Sequence, residues 1–116
     1  LGWLPFEDMP IIYSAAELYV FPSLHEGFGI PVLEAFASGV PVVCSRIEPV
    51  TEVAGDAAFY IDPLSVEDIA GGILTVLNDK ALRERLTSKG TTRAREFSWK
   101  KTALDTLAII ERSLAR

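Results

Sequence analysis

The chain has 116 residues, of which 49% are hydrophobic and 23% charged, and a formal net charge of −5 at neutral pH. That length suits one domain able to bury about two-thirds of its unfolded surface. A single cysteine, Cys44, excludes a disulfide framework or a cysteine-based zinc cluster, and no apolar run reaches the roughly 18 residues of a membrane span. The acidic balance argues against nucleic acid as the main partner, because phosphate backbones are held by clustered Lys and Arg. Hydrophobic content is too high for disorder, so a soluble domain of a reducing compartment is expected. The chain opens on Leu1 rather than Met, in mid-pattern and without a signal-peptide pattern, and is expected to be a piece of a longer protein.

Taken in order, Leu1-Gly2-Trp3-Leu4 is expected to be the tail of a strand, and Met9 to Ala16 a short helix. Leu18-Tyr19-Val20-Phe21 is a continuous apolar run closed by Pro22 and predicts a strand. Ile30 to Ser38 predicts a helix, with Pro31 in the favoured first turn and Gly39 in the favoured place after the end. Two more apolar runs follow, Val40 to Cys44 and Ala57 to Ile61, the latter closed by Asp62-Pro63. None of the three alternates polar with apolar, so each is expected to be covered on both faces, as in a parallel sheet. Ser65 and Asp68 form a capping pair ahead of the stripe Val66, Ile69, Ile73, Val76 and Leu77. Asp79 caps a helix through Leu82 and Leu86, and Ser98 caps a last one carrying Trp99, Ala103, Leu107, Ile110 and Leu114. Strand, helix, strand, helix, strand and then three helices is an α/β, doubly wound pattern. Such a domain usually has about five or six strands, so the missing ones are expected before Leu1.

Charge divides the chain. Residues 1–78 hold one basic residue, Arg46, against eleven acidic ones, whereas residues 79–116 hold ten basic and five acidic.

The chemistry is concentrated in Pro22 to Ala35, which runs from the carboxyl end of a strand through a Gly-x-Gly turn into a helix. Open α/β sheets bind ligands at that end of their strands. Gly27 and Gly29 carry no Cβ, so a ligand can come close to the backbone. The N–H groups of Phe28, Gly29 and Ile30 then point out of the helix start, a ready site for phosphate or sugar oxygens. Glu26 and Glu34 bracket the turn. An ionised carboxylate accepts hydrogen bonds through two oxygens, which suits the neighbouring hydroxyls of a ribose or hexose. A polyol joined to a phosphate is the ligand these groups describe. Plainer readings also fit: a tight connection for the turn, a solvated helix residue for Glu34, and for Glu26 a charge answering the helix dipole. A general acid and base pair is a further reading. Val32 stands where a dinucleotide fingerprint needs its third glycine, so a dehydrogenase match is poor. His25 reads as a structural or rim residue and Cys44 as a small buried apolar one.

The run Glu26-Gly27-Phe28-Gly29-Ile30-Pro31-Val32-Leu33-Glu34-Ala35, with seven residues between the glutamates, resembles the E-x7-E motif of retaining GT-B glycosyltransferases of family 4, the group 1 transferases. The resemblance continues through Ala37 to Val43, Glu52 to Ala58, Asp62-Pro63 and Phe97-Ser98-Trp99, and so covers nearly the whole chain. It departs at Phe36, where methionine is commoner, and at Thr51, where a proline usually precedes the glutamate. It implies that residues 1–116 are one partial domain, the C-terminal portion of a Rossmann-like donor-binding domain. The acceptor domain and the first strands of this domain would be absent. By that resemblance Glu34 holds the ribose of the nucleotide donor and Glu26, the catalytic candidate, meets the donor sugar. The amides of Gly27, Phe28, Gly29 and Ile30 would meet the sugar and diphosphate, and Trp3 and Leu4 lie on the nucleobase side.

The donor implied is a UDP- or GDP-linked sugar, with no cofactor and no bound metal, and no Asp-x-Asp triplet occurs. The partners implied are this donor and a sugar or lipid-linked acceptor held by the absent domain. A cytoplasmic place is implied, with peripheral contact at the inner face of the membrane left open. The Arg and Lys pair with which the family clamps the diphosphate is missing, as the charge division independently requires. The fragment alone is expected to be inactive. A nucleotide-sugar epimerase of the same fold, a non-catalytic nucleotide-sugar module and a plain interaction domain remain as alternatives.

Overall fold

The computed structural model describes residues 2–115. At its centre is a parallel sheet of three strands, β1 (Tyr19–Phe21), β2 (Val42–Ser45) and β3 (Phe59–Ile61), in that spatial order. Val20 lies opposite Val43, and Cys44 opposite Tyr60. The helices are α1 (Met9–Ser14, preceded by a 3-10 turn at Phe6–Asp8), α2 (Ile30–Ala37), α3 (Val50–Ala54), α4 (Val66–Asn78), α5 (Lys80–Ala94) and α6 (Trp99–Leu114). The short α3 lies in a stretch to which the sequence pattern assigns no helix boundaries.

Alternation along β2 builds the core on two faces. Val42 and Cys44 join Val32 and Phe36 of α2 and Val50 of α3 on one side, while Val43 joins Val76 of α4 and Leu86 of α5 on the other. β2 is buried throughout, as its unbroken apolar run predicts, but β1 is only half-buried and β3 partly so. The expectation of full cover therefore holds for the middle strand alone, because the other two are the edges of this sheet.

The helix boundaries follow from local chemistry. α2 ends with Gly39 at φ +73°, its N–H donating to Phe36 O (3.1 Å) while Val40 N–H donates to Ala35 O (3.0 Å). That left-handed stop satisfies carbonyls the helix would otherwise leave open. Ser65, Asp79 and Ser98 accept from the amides of Asp68 (3.1 Å), Leu82 (2.9 Å) and Lys101 (3.1 Å), so each expected cap forms. Close approaches are set by glycines: a Cβ on Gly90 of α5 would stand 2.5 Å from Phe36 Cδ1, and one on Gly72 of α4 would stand 2.5 Å from Ile61 Cγ2.

Three expectations fail. Gly2, Trp3 and Leu4 form no strand: Gly2 sits at φ +71°, which breaks an extended run, and Pro5 brings no N–H donor to a ladder. Leu1 lies outside the described residues. Val66 is exposed, because it opens α4 on the outer side and Gly72 takes the contact with the sheet. The stripe on α6 meets no core among the described residues: every residue of that helix is exposed.

Candidate functional site

Residues 22–29 carry the chain from the carboxyl end of β1 to the start of α2. Gly29 is the residue before the helix, buried, at φ +99° and ψ +39°, and no side chain caps α2. Pro31 has no N–H, and Val32 N–H already donates to Gly29 O at 3.0 Å. Among the described residues the amides of Gly27, Phe28, Gly29 and Ile30 donate to no protein group. Four neighbouring donors thus stand unpaired at the positive end of a helix dipole, and those of the exposed Gly27, Phe28 and Ile30 are open to an anion or to sugar oxygens. Gly27 is exposed, its φ lies outside the left-handed region, and a Cβ there would meet nothing within 4 Å. Its lack of a side chain answers no demand of this fold.

Both carboxylates are half-buried, and each is held by one hydroxyl. Ser23 Oγ donates to Glu26 Oε1 at 2.8 Å and also reaches His25 O at 3.0 Å. Tyr13 Oη, from α1, donates to Glu34 Oε2 at 2.9 Å. Burial first, and then the hydrogen bond to Glu34, pushes the Tyr13 phenol above its ordinary range and keeps it a donor. The Tyr19 phenol is also raised, chiefly by burial, against a lowering effect of the neighbouring Tyr13 hydroxyl and with added repulsion from Glu34 and Glu26. Both acidic groups thus bear on the charge state of one tyrosine.

Sequence reasoning singled out neither Tyr13 nor Ser23. Tyr13 lies 21 positions from Glu34, so only the packing of α1 on α2 brings them together. Ser23 was legible as a hydroxyl three residues before Glu26, a spacing at which side chains meet in a turn. A second unforeseen link joins the turn to the far end of α5. Phe28 meets Phe97 edge-on at 6.0 Å, and Arg93 lies over Phe97 at 4.9 Å. Arg93 also donates to the carbonyls of Val53 (2.9 Å) and Glu52 (2.7 Å) at the end of α3, and pairs with Glu96.

Trp3 is exposed and Leu4 half-buried, and among the described residues no hydrogen bond or ring contact joins them to the turn. His25 is exposed and lines a groove of about 620 Å³ along the carboxyl edge of the sheet, with Arg46, Tyr60 and Leu64. Arg46 stands over the Tyr60 ring at 5.2 Å. Cys44 is fully buried, and burial pushes its thiol up to about 12, which fits a packing role. Among the described residues no group of three or more His, Cys, Asp or Glu is placed to hold a metal, and no helix is long and apolar enough to cross a membrane.

Known proteins resemble this chain in sequence and in fold. The family model described as "Glycosyl transferases group 1" matches residues 1–93. The chain is 46% identical over 107 residues to the O-antigen chain mannosyltransferase B of Escherichia coli, covering 92% of this chain and 28% of that protein. It is 36% identical over 114 residues to the MMP alpha-(1->4)-mannosyltransferase of Mycolicibacterium hassiacum, covering 95% and 28%. Among solved structures, the sucrose-phosphate synthase of Thermosynechococcus elongatus superposes with a TM-score of 0.85 at 29% identity, over 99% of this chain and 30% of that one. The C-terminal domain of a group 1 glycosyl transferase from Francisella tularensis gives a TM-score of 0.73 at 27% identity, over 83% and 51%. The chain thus spans less than a third of the length of either mannosyltransferase. The sheet is of the GT-B type seen in these structures. With a family model matched over most of its length, the chain belongs to the group 1 glycosyl transferases.

Proposed function

We propose that the complete protein moves a sugar from a nucleoside diphosphate sugar to an acceptor hydroxyl with retention at the anomeric carbon, as a family 4 enzyme, and that residues 1–116 are the donor-holding part. The observation that carries this reading is the uncapped start of α2, with four free amides flanked by Glu26 and Glu34. In this reading the bond from the anomeric carbon to the diphosphate breaks as the acceptor oxygen bonds to the same face, and the hydroxyl proton leaves with the diphosphate. Negative charge grows on the leaving group, and the amides of Gly27 to Ile30 stabilise it together with cations from outside this chain. Glu26 orients the donor sugar and favours the positive charge developing on the ring. Glu34 accepts from the ribose and contributes binding that is equal in ground and transition states. Trp3 and Leu4 border the nucleobase.

No cofactor or metal enters the step; the donor is UDP- or GDP-linked. The similarity to a mannosyltransferase makes mannose the first sugar to test. The acceptor, a sugar or a lipid-linked sugar, sits on a domain outside this chain. The reaction belongs in the cytoplasm, with peripheral contact at the inner face of the membrane where the acceptor is lipid-linked. Steady-state kinetics on the full-length gene product test these roles. Glu26→Gln is expected to lower kcat with little change in donor KM, and Glu34→Gln to raise donor KM with little change in kcat. The opposite pattern overturns the assignment.

A further inference from the structure

We infer that Tyr13 is a positioning residue for nucleotide binding, its hydroxyl fixing one oxygen of Glu34 so that the other is presented to the donor ribose. This rests on the proposed contact between Glu34 and ribose. Tyr13 is the one buried residue of α1, and its ring is held edge-on to Tyr19 at 5.3 Å and 68°. Tyr19 in turn stacks on Phe21 at 6.0 Å, so the phenol stands on a row of rings anchored in β1. From that support the hydroxyl reaches Glu34 Oε2 at 2.9 Å. Among the described residues no cation pairs with Glu34 and no other protein donor reaches it, which leaves Oε1 unengaged. A glutamate on an open helix face must give up rotamer freedom when it binds. One held by a rigid phenol has lost much of that freedom before the ligand arrives, and the affinity rises accordingly. A tyrosine kept for packing alone needs only some partner for its buried hydroxyl. Here the partner is the acidic side chain that brackets the open turn.

The test uses the full-length gene product, with donor titrated at saturating acceptor. Tyr13→Phe keeps the ring and removes the hydroxyl. Donor KM is expected to rise about three- to tenfold, the cost of ordering one free side chain on binding, with kcat within about twofold. In a Glu34→Ala background the same substitution is expected to change donor KM by less than about twofold, because the group it acts through is gone. An unchanged donor KM for Tyr13→Phe, alongside a raised one for Glu34→Ala, overturns the positioning role and leaves the ribose contact standing. An equal rise in both backgrounds also overturns it, since Tyr13 then acts by another route. An unchanged donor KM for Glu34→Ala removes the ribose contact and this inference with it.

Discussion

Gly27→Ala separates what the fold needs from what a ligand needs. The backbone at Gly27 is outside the left-handed region, and the new methyl would meet no protein atom within 4 Å. Alanine there costs the folded state nothing and narrows the unfolded ensemble, so stability should be unchanged or higher by up to about 1 kcal/mol. The same methyl occupies the bare side of the turn, beside the open amides of Phe28 and Gly29. Losing one amide bond to a charged donor oxygen costs about 1.5–3 kcal/mol, equivalent to roughly a 10- to 150-fold weaker donor affinity. Calorimetric titration of donor and urea unfolding, both on the full-length protein, read the two quantities separately. Gly29→Ala supplies the contrast: at φ +99° with Val50 Cγ2 at 3.6 Å, its cost is backbone strain of about 1–2 kcal/mol and shows in stability. Wild-type donor affinity in Gly27→Ala, or a loss of stability there matching Gly29→Ala, would refute the reasoning.

Three further outcomes follow from the same geometry. Ser23→Ala removes the hydroxyl that holds Glu26 at 2.8 Å and should lower kcat about three- to tenfold while leaving urea stability within about 1 kcal/mol; an unchanged kcat contradicts it. Gly90→Ala places a methyl 2.5 Å from Phe36 Cδ1 in the packed contact of α2 and α5 and should destabilise by about 1–3 kcal/mol in urea unfolding; wild-type stability contradicts it. Burial raises the Cys44 thiol from 9.0 to about 12 and the Tyr60 phenol from 10.0 to about 12. On raising the pH the unfolded chain loses these protons first, so their contribution is intact below pH 9 and is lost between pH 9 and 12. Unfolding free energy should therefore fall across that window, with a shallower fall in Cys44→Ala; an unaltered slope in the variant contradicts this.

What the sequence disclosed is what depends on neighbours along the chain. Caps at Ser65, Asp79 and Ser98 and the glycine stop at Gly39 are local and readable, as is the buried run Val40 to Cys44. The turn between Glu26 and Glu34 is readable for the same reason: its glycines, its proline and both acids lie within one short segment. Contacts between distant segments were not. The hold of Tyr13 on Glu34 spans 21 positions and that of Arg93 on the carbonyls of Glu52 and Val53 about 40, and neither leaves a periodic trace. Hydrophobic periodicity also misleads where a face has no partner among the described residues, as on α6, whose apolar stripe is as regular as that of a packed helix. At Val66 the apolar spacing extends beyond the buried face, because a helix's first residue can point away from the sheet that its later turns cover.

The central claim is that the bare start of α2 is where the activated sugar is bound. Hydrogen–deuterium exchange on the full-length protein, with and without a nucleoside diphosphate sugar, tests it most directly. The amides of Gly27, Phe28, Gly29 and Ile30, which donate to no protein group, should exchange at least about tenfold more slowly when donor saturates the protein. Equal exchange at these four amides in both states, with donor shown to be bound, would contradict the account.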